Sequence, residues 1–185
     1  MGLIVGPDVS PLNQLTAALA AEDKTMDMID RRIIALLQRD VTLSIAQIAA
    51  RVGLSQTPCW KRIQRLEESG VLLGRVAIAA PEKLGLGLTA FVSIETSDHS
   101  ARWREHFAAS VIAMPEVLDF YRLAGDVDYV LRVVVSDMAA YDAFYKRLTE
   151  IGSMRNVTSR FAMERIKSTT ILPVDTGDQW QAENT

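Results

Sequence analysis

The chain of 185 residues is poor in the side chains that usually carry chemistry. It holds one cysteine, Cys59, so it can close no internal disulfide and build no cysteine-based metal cluster, which suits a reducing compartment. Its two histidines, His99 and His106, have no partner at a metal-binding spacing. There is no nucleophile–base constellation, no phosphate-cradling glycine loop and no zinc-ligand set. No apolar run approaches a membrane span, and the first 25 residues lack the basic start and long apolar stretch of a signal peptide. A net charge of −3 excludes a polycation. These absences predict a cytoplasmic protein that is not an enzyme, with no metal, no cofactor and no membrane partner.

Hydrophobic residues make up 49 % of the chain, enough for a sizeable core and against wholesale disorder. The length suits one large domain or two small ones. Charge is uneven: residues 26–80 carry eight Lys/Arg against five Asp/Glu, and residues 81–185 eleven against fifteen. The first segment is therefore the one suited to an anionic partner.

Three short helices are predicted there. Ile29, Ile33, Leu36 and Leu37 recur at helical spacing, with Asp27 and Asp30 at the positive end of the dipole. Ser44 caps a second helix carrying Ile45, Ile48, Ala49 and Val52, and Gly53 suits its left-handed end. A third begins near Ser55 or Thr57, tolerates Pro58 in its first turn, and places Cys59, Ile63 and Leu66 on one face. The tight glycine turn between the last two makes a helix-turn-helix pattern. Lys61, Arg62 and Arg65 lie away from the apolar face, and no acid falls between Ser55 and Leu66. Such a surface can neutralise phosphates while Ser55, Gln56 and Thr57 reach base edges. The bland alternative is a solvated basic face. Cys59 reads as a core residue, and Trp60 as either a DNA contact or a packing residue.

Residues 71–73 and 75–80 read as strands around Gly74, forming a wing or an outgoing connector, and Pro81 with Gly85 and Gly87 marks a boundary. Beyond it the pattern alternates: a strand at 88–96, a helix at 100–114 stopped by Pro115, strands at 117–124 and 128–135, a helix at 137–151, and β-like sequence at 157–172. This β-α-β-β-α-β order is the ferredoxin-like split unit. Val130 and Val134 point to one side of their strand and Leu131, Val133 and Val135 to the other, so both sheet faces need cover. The turn AGDVDY at 124–129 suits a hairpin; Asp126 and Asp128, with backbone groups near Gly125, also offer polar partners for an amino acid.

From Met26 to about Pro173 the sequence resembles the Lrp/AsnC (leucine-responsive, feast/famine) family of transcriptional regulators. The resemblance rests on IDRRIIALLQRD, IAARVGLSQTPCWKRIQRLEESGVL and AGDVDYVLRV, in that order and spacing. It implies an α+β protein: a winged helix-turn-helix that binds double-stranded DNA, a connector strand pairing between subunits, and a ferredoxin-like domain that senses a small effector, usually an amino acid, and oligomerises as dimers or octamers. The expected layout is helix-turn-helix at 26–73, connector and hinge at 74–87 and effector domain at 88–173, flanked by an extension at 1–25 that is not part of the family's pattern and a loose polar tail at 174–185. The implied DNA-binding residues are Ser55, Gln56, Thr57, Lys61, Arg62 and Arg65. The implied effector residues are Gly125, Asp126, Asp128, Thr158 and Ser159. Two other readings remain open at this stage. One is an architectural DNA binder of low specificity. The other is a haem-pathway decarboxylase on a similar frame, against which stand the two histidines outside the sensing strands.

Overall fold

The computed structural model describes residues 26–177 and Trp180; the extension expected at 1–25 lies outside them. The described chain divides into two compact units, one of residues 26–77 with 168–177 and Trp180, the other of residues 78–167.

The first unit is built on three helices. α1 (Met28–Arg39) starts at a capping box in which Asp27 and Asp30 each accept the other's backbone N–H, at 2.9 and 3.1 Å. α2 (Ile45–Val52) starts at a second box, Ser44 with Gln47, and ends at Gly53, whose φ of +72° only glycine adopts without strain. α3 (Gln56–Glu68) follows after three residues. Their apolar stripes close one core: Ile33, Leu36 and Leu37 from α1, Ile48, Ala49 and Val52 from α2, Cys59, Ile63 and Leu66 from α3.

Residues 171–177 and Trp180 complete this core, where a loose polar tail is expected at 174–185. Thr176 is 1 % and Trp180 9 % exposed, and Trp180 packs among the helix residues. Gln38 exchanges two hydrogen bonds with the Leu172 backbone, and Arg32 Nε donates to the Thr176 carbonyl at 3.2 Å. The Arg32 guanidinium sits 5.8 Å from the Trp180 ring centre. Residues 171–177 and Trp180 thus form a strap along α1. One aromatic ring in a polar tail gives no periodicity, so its burial is invisible to pattern reading.

The strands expected at 71–73 and 75–80 do not form. Val76 and Ile78 stand 70 % and 78 % exposed. A strand needs a ladder partner for its N–H and C=O groups, and no described segment of this chain supplies one there.

The second unit opens with a 3-10 turn (Pro81–Leu84) and then runs β1 (Leu88–Thr96), α4 (Ala101–Ile112), β2 (Val117–Arg122), β3 (Tyr129–Val135), α5 (Met138–Glu150) and β4 (Met154–Phe161). All pairings are antiparallel, in the order β2-β3-β1-β4 of the ferredoxin-like unit. Ala90, Val92, Ile94, Leu131 and Val133 pack on Phe107, Val111, Phe144 and Leu148 of the two helices. Phe91, Val130 and Tyr121 alternate onto the other face, where Phe91 and Tyr121 are exposed. β4 ends sooner than the β-like run to 172 suggests: Ala162 donates to Thr89 at the start of β1, and beyond it the ladder has no further rung.

Candidate nucleic-acid interface and effector turn

α3 presents its first two turns outward. Ser55 occupies the N-cap position without a side-chain capping bond, leaving its hydroxyl uncommitted. Gln56, Thr57, Trp60 and Lys61 are exposed and Gln64 half-buried. Spaced three and four apart, these five form one continuous face. None of their side chains holds an intramolecular hydrogen bond or ion pair among the described residues. The Trp60 indole, 47 % exposed, stands in the middle of that face rather than packing beneath α1.

Arg62 and Arg65 behave differently. Arg62 Nη1 donates to Asp30 Oδ1 at 2.8 Å and to Asp27 Oδ2 at 2.7 Å, and Arg65 Nη2 pairs with Asp30 Oδ2. The Asp30 side chain is fully buried, so both its oxygens are neutralised from α3. The guanidinium of Arg62 is held above its ordinary pKa chiefly by the Asp30 carboxylate and next by Asp27. Burial pushes the Asp27 carboxyl up, but the Asp30 backbone N–H and Arg62 outweigh it and hold it below its usual value. Cys59 is buried against α1 and α2, and that burial raises its thiol pKa.

In the second unit the β2–β3 turn carries Gly125 at φ +140°, a value reserved for glycine. Asp126 is exposed, and its carboxylate holds no hydrogen bond or ion pair among the described residues. Asp128 is engaged: Oδ2 accepts the Thr96 N–H at 2.8 Å, its own N–H donates to Ile94, and Oδ1 lies 3.8 Å from His99 Nδ1. On β4, Thr158 stands opposite Ser93 and Ser159 opposite Val92. Adjacent strand residues look to opposite faces. Ser159 therefore lies under α5, hydrogen-bonded to the Tyr141 hydroxyl, while Thr158 lies on the uncovered face, where Asn156 Nδ2 donates to it at 3.4 Å.

Residues 26–67 match the AsnC-type helix-turn-helix domain and residues 89–172 the Lrp/AsnC ligand binding domain. The chain is 55 % identical over 151 residues to the DNA-binding transcriptional activator DecR of Escherichia coli K12, covering 81 % of this chain and 99 % of that protein. The chain belongs to the Lrp/AsnC family. It is 42 % identical over 157 residues to a glutamate uptake regulatory protein of Zymomonas mobilis, covering 84 % of this chain and 96 % of that one. An AsnC family transcriptional regulator from Agrobacterium tumefaciens superposes with a TM-score of 0.77 at 55 % identity, over 80 % of this chain and 97 % of that one. A transcriptional regulator from Neisseria meningitidis, solved as a complex with L-Met, superposes at 0.75 with 36 % identity, over 82 % and 98 %. The chain is thus an Lrp/AsnC DNA-binding transcriptional regulator with a ligand-binding domain.

Within this Lrp/AsnC frame the expected residues divide. Ser55, Gln56, Thr57 and Lys61 share one open face, while Arg62 and Arg65 are committed to α1. The two arginines were expected to hold phosphates because they lie off the apolar face; the acids that engage them lie 32 and 35 residues upstream, beyond any local pattern. Trp60 and Gln64 join the face, and helical spacing alone would have found them. Gly125 and Asp126 are open to a ligand. Asp128 closes the end of β1, and Thr158 and Ser159 do not share a face.

Proposed function

We propose that the α3 face formed by Ser55, Gln56, Thr57, Trp60, Lys61 and Gln64 reads double-stranded DNA in the major groove. The reading rests on one observation: a contiguous helix face whose polar groups have no partner among the described residues, behind a tight glycine turn. Lys61 supplies the phosphate contact, the hydroxyls and amides reach base edges, and Trp60 offers an apolar edge to a thymine methyl or sugar. The uncovered sheet face with Phe91, Val130 and Tyr121, and the unpaired segment 71–80, are the surfaces through which two copies pair. A two-fold dimer reads two half-sites. An amino acid is the effector: the Asp126 carboxylate takes its ammonium group, and backbone N–H groups near Gly125 take its carboxylate. Asp128, Thr158 and Ser159 support that site by holding strand ends and sheet packing rather than by touching the ligand. The protein works in the cytoplasm without a catalytic step or a resident cofactor.

The test is fluorescence anisotropy on a duplex recovered by genomic binding selection with the full chain. Trp60→Ala and Lys61→Ala each lower affinity about tenfold, and Lys61→Ala also reduces the slope of log K against log salt by about 0.9. Affinity and slope both unchanged in the double variant would refute the assignment.

A further inference from the structure

We infer that Asp30 is the positioning residue for DNA recognition: through Arg62 and Arg65 it fixes the rotation of α3 on α1, and neither arginine neutralises a phosphate. This rests on the α3 face being the DNA interface.

The core between the three helices is apolar and therefore non-directional. Ile33, Leu37, Cys59, Ile63 and Leu66 resist separation of α1 and α3 but discriminate weakly against a small roll or slide of one on the other. A roll of α3 by a fraction of a turn would swing Gln56, Trp60 and Lys61 out of register with a groove. Charge-assisted bonds from a planar fork are directional and short, and they tolerate no such roll. Asp30 has the geometry for this role. Its side chain is fully buried and it sits in the first turn of α1, where the capping box already holds its backbone N–H on Asp27. Oδ1 receives Arg62, and Oδ2 receives Arg65 together with the Asp27 backbone N–H. Arg62 reaches back further to Asp27, so α3 is anchored at both carboxylates of the box. Two positive charges meet two negative ones, and the cluster presents no net charge to an approaching phosphate. Lys61, one residue before Arg62, has no acid among the described residues to answer it.

This division of labour separates two kinds of loss. A cation that contacts phosphate releases counterions, so its removal lowers both affinity and salt slope. A cation that only orients the helix lowers affinity while leaving the slope intact. Full-length Asp30→Asn, Arg62→Gln, Lys61→Gln and the double Asp30→Asn/Arg62→Gln variant would be titrated against a random-sequence duplex of about three helical turns. The same titrations would use the selected fragment, across a salt series. Arg62→Gln is expected to weaken binding to the selected fragment about tenfold at an unchanged slope, and Lys61→Gln to reduce the slope by about 0.9. Random-sequence binding falls less than selected-sequence binding in Arg62→Gln, because orientation matters to base readout more than to backbone attraction. Asp30→Asn matches Arg62→Gln, and the double variant is no weaker than either, as for residues acting through one contact. Arg62→Lys, which restores one charge-assisted bond, recovers part of the affinity.

A slope loss in Arg62→Gln, or wild-type affinity in that variant, overturns the positioning role. If Asp30→Asn does not fold, the Arg62 series carries the test alone. Loss of effect in Lys61→Gln strikes instead at the α3 interface, so the two failures are distinguishable.

Discussion

At the scale of single residues, burial decides which polar side chains are free to work. Cys59 is 0 % exposed and its thiol is pushed up by that burial, so it stays protonated and out of reach. A thiol reagent such as Ellman's should leave the native chain untouched and react in full only in denaturant; rapid native labelling would contradict the packing. Replacing Cys59 by Ser puts a hydroxyl into an apolar site and should cost about 1–3 kcal/mol, read from the urea midpoint. The same rule separates Lys61 from Arg62. Both are basic and neighbours in sequence, yet one faces outward and the other is spent on buried Asp30.

At the scale of elements, the helices were legible because their ends carry local signals: Ser44 with Gln47, Asp27 with Asp30, and Gly53 at φ +72°. β1 and β3 were legible from β-branched residues in short bounded runs. The side of α3 proposed to meet DNA was only half legible, since composition marks a basic face but not which cations an upstream acid has taken. Likewise the family resemblance implies Thr158 and Ser159 at one effector site, but neighbours in a strand look to opposite faces. The connector failed for a physical reason: β propensity at 71–80 is real, but pairing requires a second strand. The strap was illegible, because its anchor is a lone indole more than a hundred residues from Arg51, whose carbonyl accepts the Trp180 N–H at 3.5 Å. Trp180→Ala should therefore destabilise the helical unit by about 3 kcal/mol, and removing residues 171–185 by at least as much. Thermal unfolding followed at helical wavelengths checks this; an unchanged melt would return the tail to a loose appendage.

At the scale of the whole molecule, acid is the vulnerable side. Among the described residues five carboxyls are held below their ordinary values: Asp27 by the Asp30 backbone N–H and Arg62 against opposing burial, Asp40 by the Thr42 hydroxyl, Glu95 by the Asn156 amide, Asp98 by the Ser100 backbone N–H and Asp137 by the Ala140 backbone N–H. A depressed folded pKa means the unfolded chain binds more protons as pH falls, so these groups stabilise the fold above their ordinary values of 3.8 to 4.5 and lose that contribution below them. The urea midpoint should hold level from neutrality to about pH 5 and fall steeply below pH 4; a level midpoint at pH 3.5 would contradict it. The strap also has a consequence in time. Ribosomal synthesis delivers α1, α2 and α3 before the sensing unit, but the piece that covers α1 only after it. Until Trp180 emerges, the apolar patch it covers stays open while the sensing unit, continuous in sequence, has already been completed. The helical unit is begun before the sensing unit and closed after it, so a transcript cut short between Phe161 and Trp180 yields a chain that can assemble its sensor but not close its reading head.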